Sequence, residues 1–150
     1  METVSPPTIP QVETVAPHIK PQEISFPLPK ALHTTAHVHL TLLEKCVTVF
    51  LATSTPGDSA GSVKPMGSFI YAMPDRTNPR AAISTTLYTS AGSEEYTARI
   101  ARILARRMGV PVYVGCSIDP TAIGLMAEEE MEGLTKIVNV IMERWEKRQR

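Results

Sequence analysis

The sequence predicts an α+β fold, in which a mainly antiparallel sheet carries two helices packed on one of its faces. Four strand-like segments precede the first helical segment, and one strand separates the two helices, so the order disfavours a doubly wound parallel sheet. Several strands carry apolar residues on both sides, which two helices on one face cannot bury. We therefore expect the second sheet face to pair with a partner subunit.

Length and composition indicate one domain, since 150 residues with 43% hydrophobic content are enough for a core. The formal net charge is zero, which does not favour binding to nucleic acid or to a membrane surface. No apolar run approaches the ~20 residues of a membrane span, and the N-terminus does not resemble a secretory signal. Cys46 and Cys116 lack metal-site spacing, so we expect buried thiols in a cytoplasmic and nuclear protein.

Residues 1–29 contain seven of the thirteen prolines and show no hydrophobic periodicity. Such a segment buries too little apolar surface to offset the entropy of ordering, so we predict a disordered Pro-rich arm. Its Pro7–Pro10 stretch matches the PxxP pattern, but chance matches are common in so proline-rich a segment. Residues 30–150 are predicted to form a single α/β sandwich domain.

The first half of this domain shows the alternation and the turn residues of a sheet. Glu44 and Lys45 suit a tight hairpin between the first two strands, and the Gly- and Ser-rich stretch 55–65 is predicted to be a loop. The predicted strands cover residues 33–43, 46–55, 67–73 and 82–88.

The first helix is predicted from Ser93, whose hydroxyl can accept from a free N–H of the first turn. Glu94 and Glu95 suit the positive end of the helix dipole, and Gly109 suits the left-handed position that ends a helix. A strand over residues 112–118 follows. The apolar stripe of the helix consists of Tyr96, Ile100, Ile103, Leu104 and Met108.

A second helix is predicted from about Thr121 to Glu146, with Asp119 as the N-cap and Pro120 at the first helical position. The basic residues after it are expected to fray. Its predicted apolar face consists of Ala127, Met131, Leu134, Val138, Ile141 and Trp145.

Four side chains of the second sheet face are candidates for the interface with a partner: His37, His39, Phe50 and Tyr71. Alternate histidines such as His37 and His39 can chelate a metal, but the sequence places no third ligand beside them. Polar positions at an interface or a sheet edge are therefore the favoured interpretation. No catalytic, cofactor-binding or metal-binding residue is predicted.

Ser59 lies in a G-x-S-x-G pattern, the motif of a hydrolase nucleophile elbow. A strand rather than a helix follows it, and no histidine occurs after His39, so the usual order of nucleophile, acid and base is impossible. A flexible loop is the favoured interpretation, and a small hydrolase that uses Ser59 is kept as a rival.

Arg99, Arg102 and Arg106 form a basic side of the first helix, which could meet phosphates. An RNA-binding α/β module is therefore the alternative function. The acidic Glu94 and Glu95 on the same helix and the neutral net charge favour a solvated surface or one that faces a protein client.

Short motifs occur in order along the second half of the chain: STTL at 84–87, LARR at 104–107, VYV at 112–114 and EEME at 129–132. With the opening hairpin HVHLTLLEKCVTVFLAT, they resemble the fourth member of the proteasome assembly chaperone family over about residues 33 to 133. The long arm, the 55–65 loop and the extended last helix depart from the family pattern.

This resemblance implies a small α/β sandwich that acts as a non-enzymatic chaperone and needs no cofactor. Members of the family pair with a related small chaperone, the third member, as a heterodimer. The pair is expected to bind a proteasome α-type subunit, mainly the fifth, to help order the α ring of the 20S core particle, and to leave before the particle matures. Neither nucleic acid nor a membrane is an expected partner.

Overall fold

The chain forms six strands and two helices in the computed structural model, which describes residues 3–10, 19–59, 61 and 63–149. The strands are β1 (Gln22–Leu28), β2 (Ala31–Leu42), β3 (Val47–Ser54), β4 (Ser68–Pro74), β5 (Ala82–Tyr88) and β6 (Val112–Cys116). The helices are α1 (Glu94–Met108) and α2 (Ala127–Gln149). Among the described residues, no helix is long and apolar enough to cross a bilayer.

All six strands belong to one sheet, in the order β1-β2-β3-β6-β4-β5. Every neighbouring pair is antiparallel except β3 and β6, which run parallel. The last strand along the chain therefore lies at the centre, between the N-terminal meander and the β4–β5 hairpin. This architecture confirms the predicted α+β class with a mainly antiparallel sheet.

Both helices pack on the same face of the sheet, and the core lies between them and the strands. The amphipathic stripe of α1 is buried at Tyr96, Ile100 and Leu104, as the sequence predicts. The facing strands contribute one residue in two, including the buried Leu40, Ile70, Val112 and Val114. We call the opposite face, which no helix covers, the open face.

The prediction that residues 1–29 form a disordered arm is wrong for the C-terminal part of this segment. Gln22–Leu28 forms the edge strand β1 and pairs with β2. Ile24, Phe26 and Leu28 alternate toward the helices, and Leu28 is fully buried. Pro27 is tolerated because an edge strand leaves half of its backbone groups unpaired. Residues 3–10 have no regular structure, and the arm's residues 11–18 lie outside the described part of the chain.

The second helix begins at Ala127, six residues later than predicted. Asp119 does accept hydrogen bonds from the N–H groups of Thr121 and Ala122, at 3.2 and 3.3 Å. That turn then stops at Gly124, which adopts the left-handed conformation with φ 76°. Two residues of the predicted apolar face, Ala127 and Met131, are consequently exposed at the start of the helix.

The C-terminal end of α2 remains helical where the sequence suggested fraying. Arg148 Nη1 donates to the carbonyl oxygen of Leu43 at 2.8 Å, and Arg144 Nη1 donates to Gln22 Oε1 at 3.4 Å. Trp145 is buried between these contacts. Arg144 and Arg148 therefore hold the C-terminal end of α2 against the N-terminal strands.

Ser93 precedes α1 as predicted, but its hydroxyl makes no capping bond to the helix. The Ser93 hydroxyl instead lies 2.8 Å from Ser68 Oγ and donates to the carbonyl oxygen of Ser90. Both Ser68 and Ser93 are buried, so the pair satisfies polar groups where β4 meets the helix start. The other end of α1 follows the prediction, since Gly109 is left-handed and donates its N–H to Ala105.

Candidate functional site

A continuous row of rings crosses the open face of the sheet. Phe50 and Phe69 stack with centroids 6.1 Å apart and planes 7° from parallel, and His39 continues the row beyond Phe50 at 6.2 Å. On the other side, Tyr113 lies 6.0 Å from Phe69 and 4.8 Å from Tyr71. We call these five residues the aromatic row.

The row depends on a glycine in the central strand. Gly115 of β6 is the register partner of Phe50 on one side and of Phe69 on the other. Strands two positions apart in a sheet are separated by roughly 9.6 Å, yet the two rings are only 6.1 Å apart. A Cβ on Gly115 would lie 2.7 Å from Phe50 Cδ1, so the absent side chain makes room for the stack.

The open face remains apolar toward solvent even though its rings shield one another. Phe50 is 38% exposed and Met73 is 36% exposed, and on the edge strand Ile83 is 52% exposed. Clustered apolar exposure of this kind marks a surface that contacts another molecule. A flat sheet face also suits a second sheet, because two sheets pack face to face at a separation of about 10 Å.

The two histidines of β2 have different surroundings on this face. His37 Nδ1 is hydrogen-bonded to Ser25 Oγ at 2.8 Å, and its Nε2 is hydrogen-bonded to Ser54 Oγ at 2.6 Å. His39 Nδ1, in contrast, is buried and has no hydrogen-bond partner among the described residues. A buried polar atom normally has a partner, so His39 offers a group that an incoming chain could satisfy.

A cleft of about 500 Å³ lies beside the aromatic row, between strands β1–β3 and the loop residues Lys64, Pro65 and Met66. The loop is held by Asp58, which accepts from Lys64 Nζ at 2.8 Å and from the N–H of Thr55. The hydrogen bond from Lys64 lowers the pKa of Asp58 most, and the bond from the N–H of Thr55 lowers it further. The cleft therefore extends the open face with a recess whose lining is mainly apolar.

The structure brings together three of the four predicted interface residues, since His39, Phe50 and Tyr71 all belong to the aromatic row. His37 shares the face but is not a member of the row, and both of its ring nitrogens are hydrogen-bonded to serines. The sequence interpretation missed Phe69 and Tyr113 as members. The alternation of side chains along each strand could have identified them. Phe69 and Tyr113 lie at positions that alternate with the buried residues of their strands and therefore face the open side of the sheet.

The geometry around Ser59 does not assemble a hydrolytic triad. Ser59 lines a separate cleft of about 410 Å³ with His37 and Asp58. Both ring nitrogens of His37 are bonded to other serines, and the Asp58 carboxylate is engaged by Lys64 and a backbone N–H. Asp58 therefore does not orient His37 toward Ser59, which a base in a triad requires.

The arginines of α1 lie on the helix side of the sheet, away from the aromatic row. Arg99, Arg102 and Arg106 line one cleft with Arg80, a residue that the sequence interpretation did not include. No group of three or more His, Cys, Asp or Glu side chains in the described part of the chain could hold a metal ion.

The chain is similar to known proteins in sequence and in structure. A family model described as proteasome assembly chaperone 4 matches residues 35–118, more than half of the chain. No curated protein matches the sequence. A chain from a crystal structure of a novel chaperone complex for yeast 20S proteasome assembly is similar with 16% identity and a TM-score of 0.49, over 86% of this chain and 95% of that chain.

Proposed function

The chain belongs to the proteasome assembly chaperone 4 family, and we propose that it works as one half of a heterodimer with a related small chaperone, the third family member. The heterodimer binds an α-type subunit of the 20S core particle, mainly the fifth, and promotes assembly of the α ring. The chain acts by binding alone, with no catalytic step. We place it in the cytoplasm and the nucleus.

The aromatic row is the observation that supports pairing most strongly. A partner sheet laid on the open face would bury Phe50 and Met73, which are exposed in the single chain. It could also satisfy His39 Nδ1. Burial of aromatic rings contributes about 25 cal/mol for each Å² of apolar surface removed from water, so a row of them can sustain a stable dimer.

Assembly would then be promoted by mass action. A chaperone that binds one conformation of a subunit stabilises it in proportion to its own concentration and affinity. It covers a surface that would otherwise pair wrongly, and it dissociates when the permanent neighbour binds more tightly. Such a cycle requires a stable heterodimer and a weaker contact with the client subunit, which implies two separate surfaces on this chain.

Replacement of Phe50 by Glu tests the pairing surface. A carboxylate in the middle of the aromatic row would have to lose its hydration when a second sheet covers it, which costs several kcal/mol. We expect the Phe50→Glu variant to lose its sister chaperone when the two are co-expressed and co-purified. Met126→Glu is the matched control, because Met126 is 71% exposed and lies outside the open face, directly before α2. An unchanged heterodimer in Phe50→Glu would rule out this surface.

The identity of the partners is tested by affinity purification of the full chain from cells, followed by mass spectrometry. We expect a related small chaperone in stoichiometric amount and α-type subunits of the core particle in smaller amount. Recovery of mature core particles with β-type subunits would contradict a chaperone that leaves before the particle matures. The same tagged chain, viewed by fluorescence microscopy, tests the cytoplasmic and nuclear location.

A further inference from the structure

Four arginines converge on one cleft at the edge of the helix layer. The cleft has a volume of about 360 Å³ and lies between α1 and the start of β5, where Ala82 and Ile103 form its apolar part. We call it the arginine cleft, and its charged residues are Arg80, Arg99, Arg102 and Arg106. Arg102 and Arg106 are exposed, and so is Arg80 on the preceding turn.

Three of these guanidinium groups are not paired with a carboxylate in the described part of the chain. Arg99 is paired, since its Nη2 lies 2.8 Å from Glu95 Oε1 and its Nη1 lies 3.6 Å from Glu130 Oε1. Arg102 makes a single long bond of 3.4 Å to Ser84 Oγ. Arg80, Arg102 and Arg106 therefore retain donors for an external anion, and Arg99 shows that carboxylates fit beside them.

The groove that contains this cleft reverses its charge along α1. Toward the N-terminal end of the helix it continues into a neighbouring cleft of about 530 Å³, which is lined by Glu94 and Glu95 and shares Arg102. A uniformly anionic chain such as RNA would meet repulsion along that part of the groove. A short peptide whose acidic residues lie only at the basic end of the groove would not meet this repulsion.

We propose that the arginine cleft binds the acidic side chains of a short protein segment. That this segment belongs to the α-type client subunit rests on the proposed function. Arg102 and Arg106 would hold its carboxylates by charge-assisted hydrogen bonds, and Ile103 and Ala82 would contact the stems of its side chains. The arginine cleft lies on the helix side of the sheet, so a sister chaperone on the open face would leave it free.

A protein segment fits these observations better than a nucleic acid. Non-specific binding of single strands uses aromatic side chains as stacking platforms, and no aromatic residue lines the arginine cleft. The chain has no net positive charge that would attract a long polyanion. The bidentate geometry of guanidinium groups suits carboxylates as well as phosphates, so acidic side chains can bind in this recess.

The first test measures binding to the full chain directly, by fluorescence anisotropy at physiological salt. The first probe, the poly-glutamate peptide, is a labelled short peptide with a block of glutamates at one end and neutral residues elsewhere. The poly-lysine peptide has lysines in place of those glutamates, and the third probe is a labelled single-stranded RNA oligonucleotide. We expect the poly-glutamate peptide to bind most tightly and to weaken as salt is added. Tighter binding of the RNA would overturn the proposal in favour of an RNA-binding surface, and equal binding of both peptides would overturn it as well.

The second test uses the double variant Arg102→Glu/Arg106→Glu. We expect its affinity for the poly-glutamate peptide to fall at least about tenfold, since both remaining donors on α1 are reversed in charge. Arg107→Glu is the matched control, because Arg107 is basic and exposed on the same helix but does not line the cleft. A loss of affinity in Arg107→Glu as large as in the double variant would contradict a specific cleft.

Co-purification separates this inference from the proposed function. The double variant should retain its sister chaperone and lose the α-type subunit, while Phe50→Glu should lose the sister chaperone and still bind the poly-glutamate peptide. A double variant that recovers as much α-type subunit as the wild type would overturn the assignment of the client to this cleft. Circular dichroism of both variants checks that the fold is intact.

Discussion

At the scale of single residues, the missing side chain of Gly115 decides how the aromatic row is built. Phe50 and Phe69 belong to strands that are not neighbours, and the strand between them would normally separate their rings. Because Gly115 has no Cβ, the rings approach each other above the backbone of β6 and present a flat apolar surface. A residue without a side chain thus shapes the surface that we propose binds the partner.

Gly115→Ala should weaken pairing without unfolding the protein. The new Cβ would lie 2.7 Å from Phe50 Cδ1 and 2.9 Å from its Cε1, so the ring must move, whereas Gly115 has no positive φ that an alanine would strain. We expect the dissociation constant for the sister chaperone to rise roughly tenfold, which corresponds to about 1.4 kcal/mol. Isothermal titration calorimetry measures this change.

The control for this substitution is Gly57→Ala, because nothing lies within 4 Å of a Cβ at that position and its backbone is unstrained. It should bind the sister chaperone as the wild type does. A Gly115→Ala variant with unchanged affinity would mean that the stacking of Phe50 on Phe69 is not needed at the interface.

At the scale of elements, the end of the proline-rich segment forms β1, whose apolar side chains pack in the core. Phe26 lies under Lys136 of α2, whose Nζ is 5.8 Å from the ring centroid, and Lys30 forms a 3.1 Å ion pair with Glu132. Leu28 is 2% exposed. The strand is therefore fastened to both the sheet and the second helix.

Two truncations should separate β1 from the residues before it. Removal of residues 1–20 should leave the free energy of unfolding unchanged, because none of the described residues in that range belongs to a strand or to the core. Removal of residues 1–29 also deletes β1. It should lower the free energy of unfolding by roughly 3 kcal/mol, because the burial of Leu28, Phe26 and Ile24 is lost. Urea denaturation followed by circular dichroism measures both. Equal stability of the two truncations would contradict a structural role for β1.

Elements with strong periodicity could be predicted from the sequence, and those with conflicting signals could not. The stripe of α1 occurs where it is predicted, because its period is uninterrupted. The strand Ala82–Tyr88 also has the predicted bounds. β1 was missed because Pro27 and the neighbouring prolines masked its alternation. The start of α2 was misplaced because Asp119 and Pro120 form a good helix start that a local turn uses instead.

At the scale of the whole molecule, burial makes Cys116 a reporter of global unfolding. Cys116 lies in the central strand and is fully buried, as predicted. Cys46 lies directly before β3 and is partly exposed, so the prediction of a buried thiol is wrong for this residue. Burial raises the pKa of the Cys116 thiol to about 11, an effect that hydrogen bonds from Ile118 and Thr97 only partly offset. Its thiolate, the reactive form, is consequently scarce while the protein is folded.

We expect a thiol reagent such as 5,5′-dithiobis(2-nitrobenzoate) to modify Cys46 first and Cys116 only as fast as the whole sheet opens. The raised pKa also sets a pH dependence. The stability that the neutral thiol contributes is fully present below its ordinary pKa of 9.0 and is lost as the pH rises through about 11. Cys46→Ser and Cys116→Ser variants assign the two phases. Equal rates for both thiols in the native protein would contradict this expectation.

The pairing of distant strands is the part of the fold that the sequence interpretation left open. Local alternation identifies a strand and its two faces, but it does not say which strand lies beside it when their separation along the chain is large. Phe50 and Tyr71 were therefore recognised as residues of one face, while their connection through Phe69 and Tyr113 required the position of β6. The arginine cleft was incomplete for the same reason, because Arg80 reaches it from a different element.

The central position of β6 has a consequence for synthesis on the ribosome. The N-terminal strands emerge first, and the inner edge of β3, Val47–Leu51, has no partner until Val112–Cys116 has left the exit tunnel. A nascent chain of intermediate length thus displays an unpaired strand edge rich in valine and leucine, which is a template for aggregation. We therefore expect this protein, during its own translation, to benefit from the kind of temporary shielding that we propose it gives to another.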